Sequence, residues 1–145
     1  MKRALKRVLA VRALLEERAQ LNLEQRNGEM RRLEMAADRE RSEARSVRGA
    51  ALRQLTAGVA DWLLEIADAE MLAWKSARLR EGAEARRPEV EAARTALLDR
   101  RVERRQVETL VSEAAAAEAR DEARREQGRI DDWYQSRAAR EKPDR

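Results

Sequence analysis

Any chemistry in this chain has to come from carboxylates, basic groups and three tryptophans, because the more reactive side chains are missing. The 145 residues include neither His nor Cys. That removes an imidazole base, a catalytic triad, a thiol nucleophile, a disulfide framework and the common zinc sites. The 28 Asp and Glu are plentiful, but a carboxylate pair catalyses only in a cleft that tunes its pKa values. A cleft needs a core to build it. Ala supplies 28 of the apolar residues, while Leu, Ile and Val together are 26 of 145, too few for an ordinary globular core. The composition therefore points away from an enzyme and implies no metal and no cofactor.

Binding is the remaining kind of chemistry. The 32 Lys and Arg against 28 Asp and Glu leave a net charge of only +4. Basic residues are interleaved with acids, as in Arg100-Arg101-Val102-Glu103-Arg104-Arg105. A face that tracks phosphates would show Arg and Lys free of adjacent carboxylates, with aromatics among them for stacking. The pattern fits a helix surface laced with i,i+4 ion pairs better than a nucleic-acid site. Lys2, Arg3, Lys6 and Arg7 beside Leu5, Val8, Leu9 and Val11 make a short basic amphipathic face. Such a face suits a membrane surface or, more commonly, a docked partner. Trp62, Trp74 and Trp133 stand in a chain otherwise almost free of aromatics. Each either packs against a neighbouring helix or anchors an interface, where Trp and Arg are enriched. For Trp133 and the adjacent Tyr134 the interface reading is preferred.

The elements that must hold these groups are helices. Ala, Glu, Lys, Leu and Arg make up 96 of the 145 residues, the composition of long helices and coiled coils. Leu5, Val8, Leu15, Ala19, Met30, Leu33, Ala37, Ala44, Val47 and Ala51 follow a three-four spacing, the seam of a coiled coil. Arg12, Asn22, Arg26 and Glu40 fall on the same seam, so the contact it makes is loose or waits for a partner. Leu52–Leu79 is the most apolar stretch, with an expected inward stripe of Leu55, Val59, Trp62, Ile66, Ala69 and Ala73; Leu63, Leu64 and Trp74 lie off it. Val90, Leu97, Val107, Val111 and Ala114 continue a seam.

Breaks are signalled at Gly49 and Gly58, where Thr56 offers a cap, and again at Gly82 with Pro88. Three arrangements follow. Two matched antiparallel arms, 3–54 and 88–140, can flank a distinct tip at 55–87. Alternatively one turn near Gly58 leads into a helix that runs on, with Pro88 as the place for a kink, or a single turn lies at 82–88. All three are all-α, long antiparallel coiled-coil hairpins forming one domain over 1–145. Residues 1–18 carry +4 and residues 54–85 carry −3, so the N-terminal end is basic and the middle both acidic and apolar. No stretch is apolar enough to span a membrane. Met1–Arg12 lacks the apolar run and cleavage site of a secretory signal, and a cytoplasmic chain is expected.

Three segments carry a resemblance to a known family. Residues 5–21, LKRVLAVRALLEERAQL, resemble the opening of FliJ proteins, coiled-coil components of the bacterial flagellar export machinery. Residues 95–113, TALLDRRVERRQVETLVSE, are similar to the family's second-helix pattern. The most specific match is 126–143, EQGRIDDWYQSRAAREKP, in which an apolar residue, two acids, an aromatic and a basic tail follow one another. The related YscO proteins of injectisomes share the layout. Pro88 is a departure, since the family usually keeps that helix whole.

The resemblance implies a non-enzymatic stalk, peripheral at a type III protein export apparatus, and favours the single turn near Gly58. It implies that the joined termini dock on a hexameric export ATPase through Arg3, Lys6, Arg7, Ile130, Asp131, Trp133, Tyr134 and Arg137, although unequal arms would leave one end projecting. It implies that the tip meets the cytoplasmic domain of the membrane export gate through Leu52, Leu55, Trp62, Ile66 and Leu72, with export chaperones as further partners. From the residues alone the expectation stops at a two-ended helical adaptor. The alternatives are a structural coiled coil that self-assembles and, more distantly, a helical protein that binds nucleic acid.

Overall fold

The computed structural model describes residues 2–53 and 58–140. They form two helices, α1 (Lys2–Arg53) and α2 (Val59–Arg140), and no strand. The two helices pack antiparallel, an all-α hairpin. Of the three arrangements, it is the one with a turn near Gly58 and a second helix that runs on.

The turn falls between Arg53 and Val59. Gly58 has φ of 110°, a conformation that costs an L side chain dearly and glycine little. Its carbonyl accepts a hydrogen bond from the Trp62 N–H at 3.3 Å, so Gly58 occupies the cap position of α2. Thr56, the expected cap, and Leu55 lie outside the described residues. Asp61 in the first turn of α2 and Arg137 and Arg140 in the last complement the helix dipole.

The other expected breaks are not breaks. Gly49 lies inside α1, and Gly82 and Pro88 lie inside α2. No new helix starts at Pro88. A proline there deprives the Glu84 carbonyl of its N–H partner, but Pro88 is on the solvent side, where water can serve that carbonyl. Ion pairs Arg78–Glu81 (3.0 Å) and Arg87–Glu84 (2.8 Å) brace the same turns.

The chain divides into two compact units, Glu17–Asp99 and Met1–Glu16 with Arg100–Arg145. In the first, each step forward on α1 is a step back on α2. Arg26 pairs with Glu89 at 2.5 Å, Glu29 with Arg86 at 2.6 Å and Asp38 with Arg80 at 2.8 Å. The inward residues keep a strict three-four alternation. On α1 they are Ala19, Leu23, Arg26, Met30, Leu33, Ala37, Glu40, Ala44, Val47 and Ala51; on α2 they are Trp62, Glu65, Ala69, Leu72, Ser76, Leu79, Ala83, Arg86, Val90, Ala93 and Leu97. The most buried positions recur every seven residues: Ala37, Ala44 and Ala51 on α1, and Ala69, Ser76, Ala83, Val90 and Leu97 on α2. Small side chains let the helix axes approach toward the short end of the usual 8–10 Å. Close approach is what allows the Ser76 hydroxyl to donate to the Ala37 carbonyl at 2.7 Å across the pair. Stepping seven residues from that bond sets Ala44 opposite Ala69 and Met30 opposite Ala83.

In the other unit the inward residues are Leu5, Leu9, Arg12 and Glu16 against Arg100, Arg104, Val107, Val111 and Ala114. Arg12 reaches Glu103 at 2.6 Å, and Glu16 is held by Arg104 at 2.5 Å and Arg101 at 3.4 Å. In this unit the seam residues Arg12, Glu16 and Arg104 thus make crossing ion pairs in place of apolar knobs. The seam differs from the expected one by single positions. Leu9 and Leu23 turn inward where Val8 and Asn22 were expected, and Val8 and Asn22 are exposed. On α2, Leu72 takes the inward place expected for Ala73, and Val59 is 75% exposed. The reason is phase. An apolar residue sits on each side of the true seam, and only the unbroken alternation from Leu5 to Ala51 distinguishes them.

Candidate docking surfaces

Antiparallel pairing ends where α1 ends. With Arg12 against Glu103, α1 runs out opposite residues near 112, and α2 continues to Arg140. Its inward positions from Glu118 onward turn polar, and every residue from Ala116 to Arg140 is exposed. A helix that displays all its faces displays its anchors too. Trp133 is 55% and Tyr134 62% exposed, with Ile130 one turn before them. The two rings meet edge to face with centroids 5.0 Å apart, an attractive aromatic geometry. The Arg137 guanidinium lies 5.5 Å from the Trp133 ring centroid, a cation–π distance. The Asp131 carboxylate accepts a bond from the Gln127 amide at 2.9 Å. Glu126, Arg129, Ile130, Trp133 and Tyr134 line one shallow concavity on this helix. The result is an aromatic–aliphatic anchor ringed by charge.

The basic N-terminal group is elsewhere in the same unit. Arg3, Lys6 and Arg7 are exposed and stand opposite the stretch near 108–112. Ile130 is some 18 residues further along α2, about 27 Å at 1.5 Å per residue. The expected juxtaposition of Arg3, Lys6 and Arg7 with Ile130, Asp131, Trp133, Tyr134 and Arg137 is therefore corrected: the termini do not form one surface. The unequal arms decide this. α1 has 52 residues and α2 has 82, so the C-terminal group projects alone.

The expected tip surface is also redistributed. Leu52 is exposed, whereas Trp62, Ile66 and Leu72 are half-buried. Trp62 and Leu72 are seam residues that face α1, so they are packing groups and not a free surface. The Trp62 indole Nε1, a Glu65 Oε2 and a Glu40 Oε2 are buried with no hydrogen-bond partner, which marks this part of the seam as costly. The residues that α2 shows outward here are Val59, Leu63, Leu64, Met71 and Trp74. The spacing carried a signal for three of them, since Leu63, Leu64 and Trp74 lie off the inward stripe. Arg78 covers Trp74 with its guanidinium 5.8 Å from the ring centroid.

Among the described residues Arg104 is the group whose pKa departs from its ordinary value. The hydrogen bond from its side chain to Glu16, the charge of Glu16 and the charge of Glu108 raise its pKa above the ordinary arginine value. Among the described residues no three Asp or Glu side chains converge as a metal site would require, and no helix is long and apolar enough to cross a membrane. No protein-family model, curated protein or solved structure matches this chain.

Proposed function

We propose that this protein is a non-catalytic helical adaptor that grips a larger assembly through the projecting end of α2, in the role that its resemblance to the FliJ and YscO stalk proteins implies. In this reading it is cytoplasmic and peripheral to a type III export apparatus. The 130–137 segment docks on the hexameric export ATPase, and the end of α1 beside the turn, where Leu52 is exposed, serves the cytoplasmic domain of the export gate. The observation that carries the reading is the full exposure of residues 116–140 with Ile130, Trp133 and Tyr134 displayed on one helix. Burying an indole and a phenol is what holds interfaces together, and the surrounding Arg groups would mainly speed encounter. The proposal differs from the sequence-based expectation in one respect: Arg3, Lys6 and Arg7 are not part of the ATPase-facing anchor.

The test is pull-down and titration with the cognate export ATPase. Trp133→Ala should weaken binding by about 1–3 kcal/mol, the usual range for an anchor residue. Helicity should be unchanged, because Trp133 packs on nothing but its own helix. Undiminished binding by that variant would remove the anchor from the account.

A further inference from the structure

Two outward faces of this chain match each other. On α2, Val59, Leu63, Leu64, Met71 and Trp74 are exposed. At 100° per residue, Leu63, Ala67 and Trp74 point away from the seam residues Trp62, Ala69 and Ser76. Carboxylates border this apolar stripe, Asp61 and Asp68 along one edge and Glu70 along the other. None of the three has an ion pair among the described residues. Further along the same helix, Glu81, Glu84, Glu89, Glu91, Glu103 and Glu108 are all paired. Asp61, Asp68 and Glu70 thus carry charge that no cation among the described residues pairs.

The complementary face is on the first turns of α1. Val11 and Leu14 point away from the seam residues Leu9, Arg12 and Glu16 and are exposed. Arg3 and Arg7 lie on the same side, spaced along one helical row with them. These two cations also have no ion pair among the described residues, while Arg12 on the inward side has Glu103. One face sets Asp61, Asp68 and Glu70 beside its apolar centre, with Lys75 and Arg78 on the same side, and the other sets Arg3 and Arg7 beside Val11 and Leu14, with Glu17 at its edge. Each points away from the helix that its own chain pairs with it.

We propose that the occupant of the acidic face of α2 is the basic outward face of α1 from a second copy of this chain. The contact is heterologous: each copy offers one face of each kind. Such contacts add copies in series unless geometry closes them into a ring. Apolar burial of Trp74 and Leu63 against Val11 and Leu14 holds the contact, and the Arg–carboxylate rows orient it. The inference is independent of the export reading, since it invokes only this chain.

Sedimentation velocity on the full chain tests it, across low to high micromolar concentration at low and high salt. The unmodified chain should grow past the dimer with concentration and shift back toward monomer as salt screens the rows. Trp74→Gln and Leu14→Gln each disable one face at an exposed position. Each should raise the concentration for half-assembly by about tenfold or more, as expected for an anchor residue. Mixed together, the two variants retain one good face apiece, so the mixture should form a one-to-one pair and stop there. A chain that stays monomeric throughout would overturn the proposal. So would self-association that survives Leu14→Gln, which would mean a two-fold contact between α2 faces, or a mixture that forms no pair. Circular dichroism of each variant against the unmodified chain separates a lost face from a lost fold.

Discussion

The alanine seam makes the sharpest physical demand in the molecule, and replacing Ala37 by leucine tests it. Ala37 is fully buried, and its carbonyl is held by the Ser76 hydroxyl at 2.7 Å. A hydroxyl on a short side chain can reach a backbone oxygen of another helix only if the two backbones are close. Leucine adds three carbons at a place where the facing residue is already within hydrogen-bond distance of the backbone. Overpacking of that kind costs about 1–3 kcal/mol. The Ser76 bond would be strained or lost as well, for about another 1 kcal/mol, because the Ala37 carbonyl keeps its helical partner and leaves no orphan. For a chain of this size each kcal/mol moves the melting midpoint by about 2–4 °C. Ala37→Leu should therefore melt about 4–16 °C lower when followed by circular dichroism at 222 nm. Met35→Leu, at a position 67% exposed, is the matched control and should leave the midpoint in place. A midpoint for Ala37→Leu that is unchanged or higher would mean that the helices stand far enough apart to admit the larger side chain. The close-packed register argued from Ser76 would then fall.

Two further substitutions probe the points at which the sequence misled. Pro88→Ala restores a helical N–H in the exposed interior of α2 and should stabilise the hairpin by about 1–3 kcal/mol in urea unfolding; a destabilised variant would mean that the proline shapes a contact. Trp62→Ala removes a half-buried indole from the seam and should cost about 1–3 kcal/mol of stability; if helix stability holds while partner binding is lost, Trp62 is an interface residue and its placement on the seam is wrong.

The hairpin was legible in the sequence because its determinants are local and periodic. Ala, Glu, Leu and Arg set the helices, and Val90, Leu97, Val107, Val111 and Ala114 lie on the seam as their spacing indicates. What the sequence obscured follows from two physical facts. Gly49, Gly82 and Pro88 are breakers by propensity, yet a long helix with a packed neighbour and braced turns absorbs the roughly 1–3 kcal/mol each costs. The inward face is chosen by packing across the pair, which periodicity on one helix does not reveal. The segment Val59–Leu79 is apolar on two sides, so Trp62 and Leu72 looked available while Val59, Met71 and Trp74 were the residues left outside. The separation of Arg3, Lys6 and Arg7 from the 130–137 segment was implicit in the arm lengths once α1 was known to end at Arg53 and α2 to begin at Val59. The breakers at 82–88 concealed it by offering a second place to reverse the chain.

Amide hydrogen exchange of the full chain, alone and with the cognate export ATPase, bears most directly on the central claim that α2 ends in a free docking segment. In the free chain the amides of 118–140 should exchange far faster than those of 20–50 and 66–110, because the former belong to a helix with no packed neighbour. Adding the ATPase should slow exchange in the 126–140 region and leave the paired stretches as they were. Protection of 118–140 already present in the free chain would contradict the projecting helix. A segment that stays fast when the ATPase is bound elsewhere on the chain would contradict the docking role.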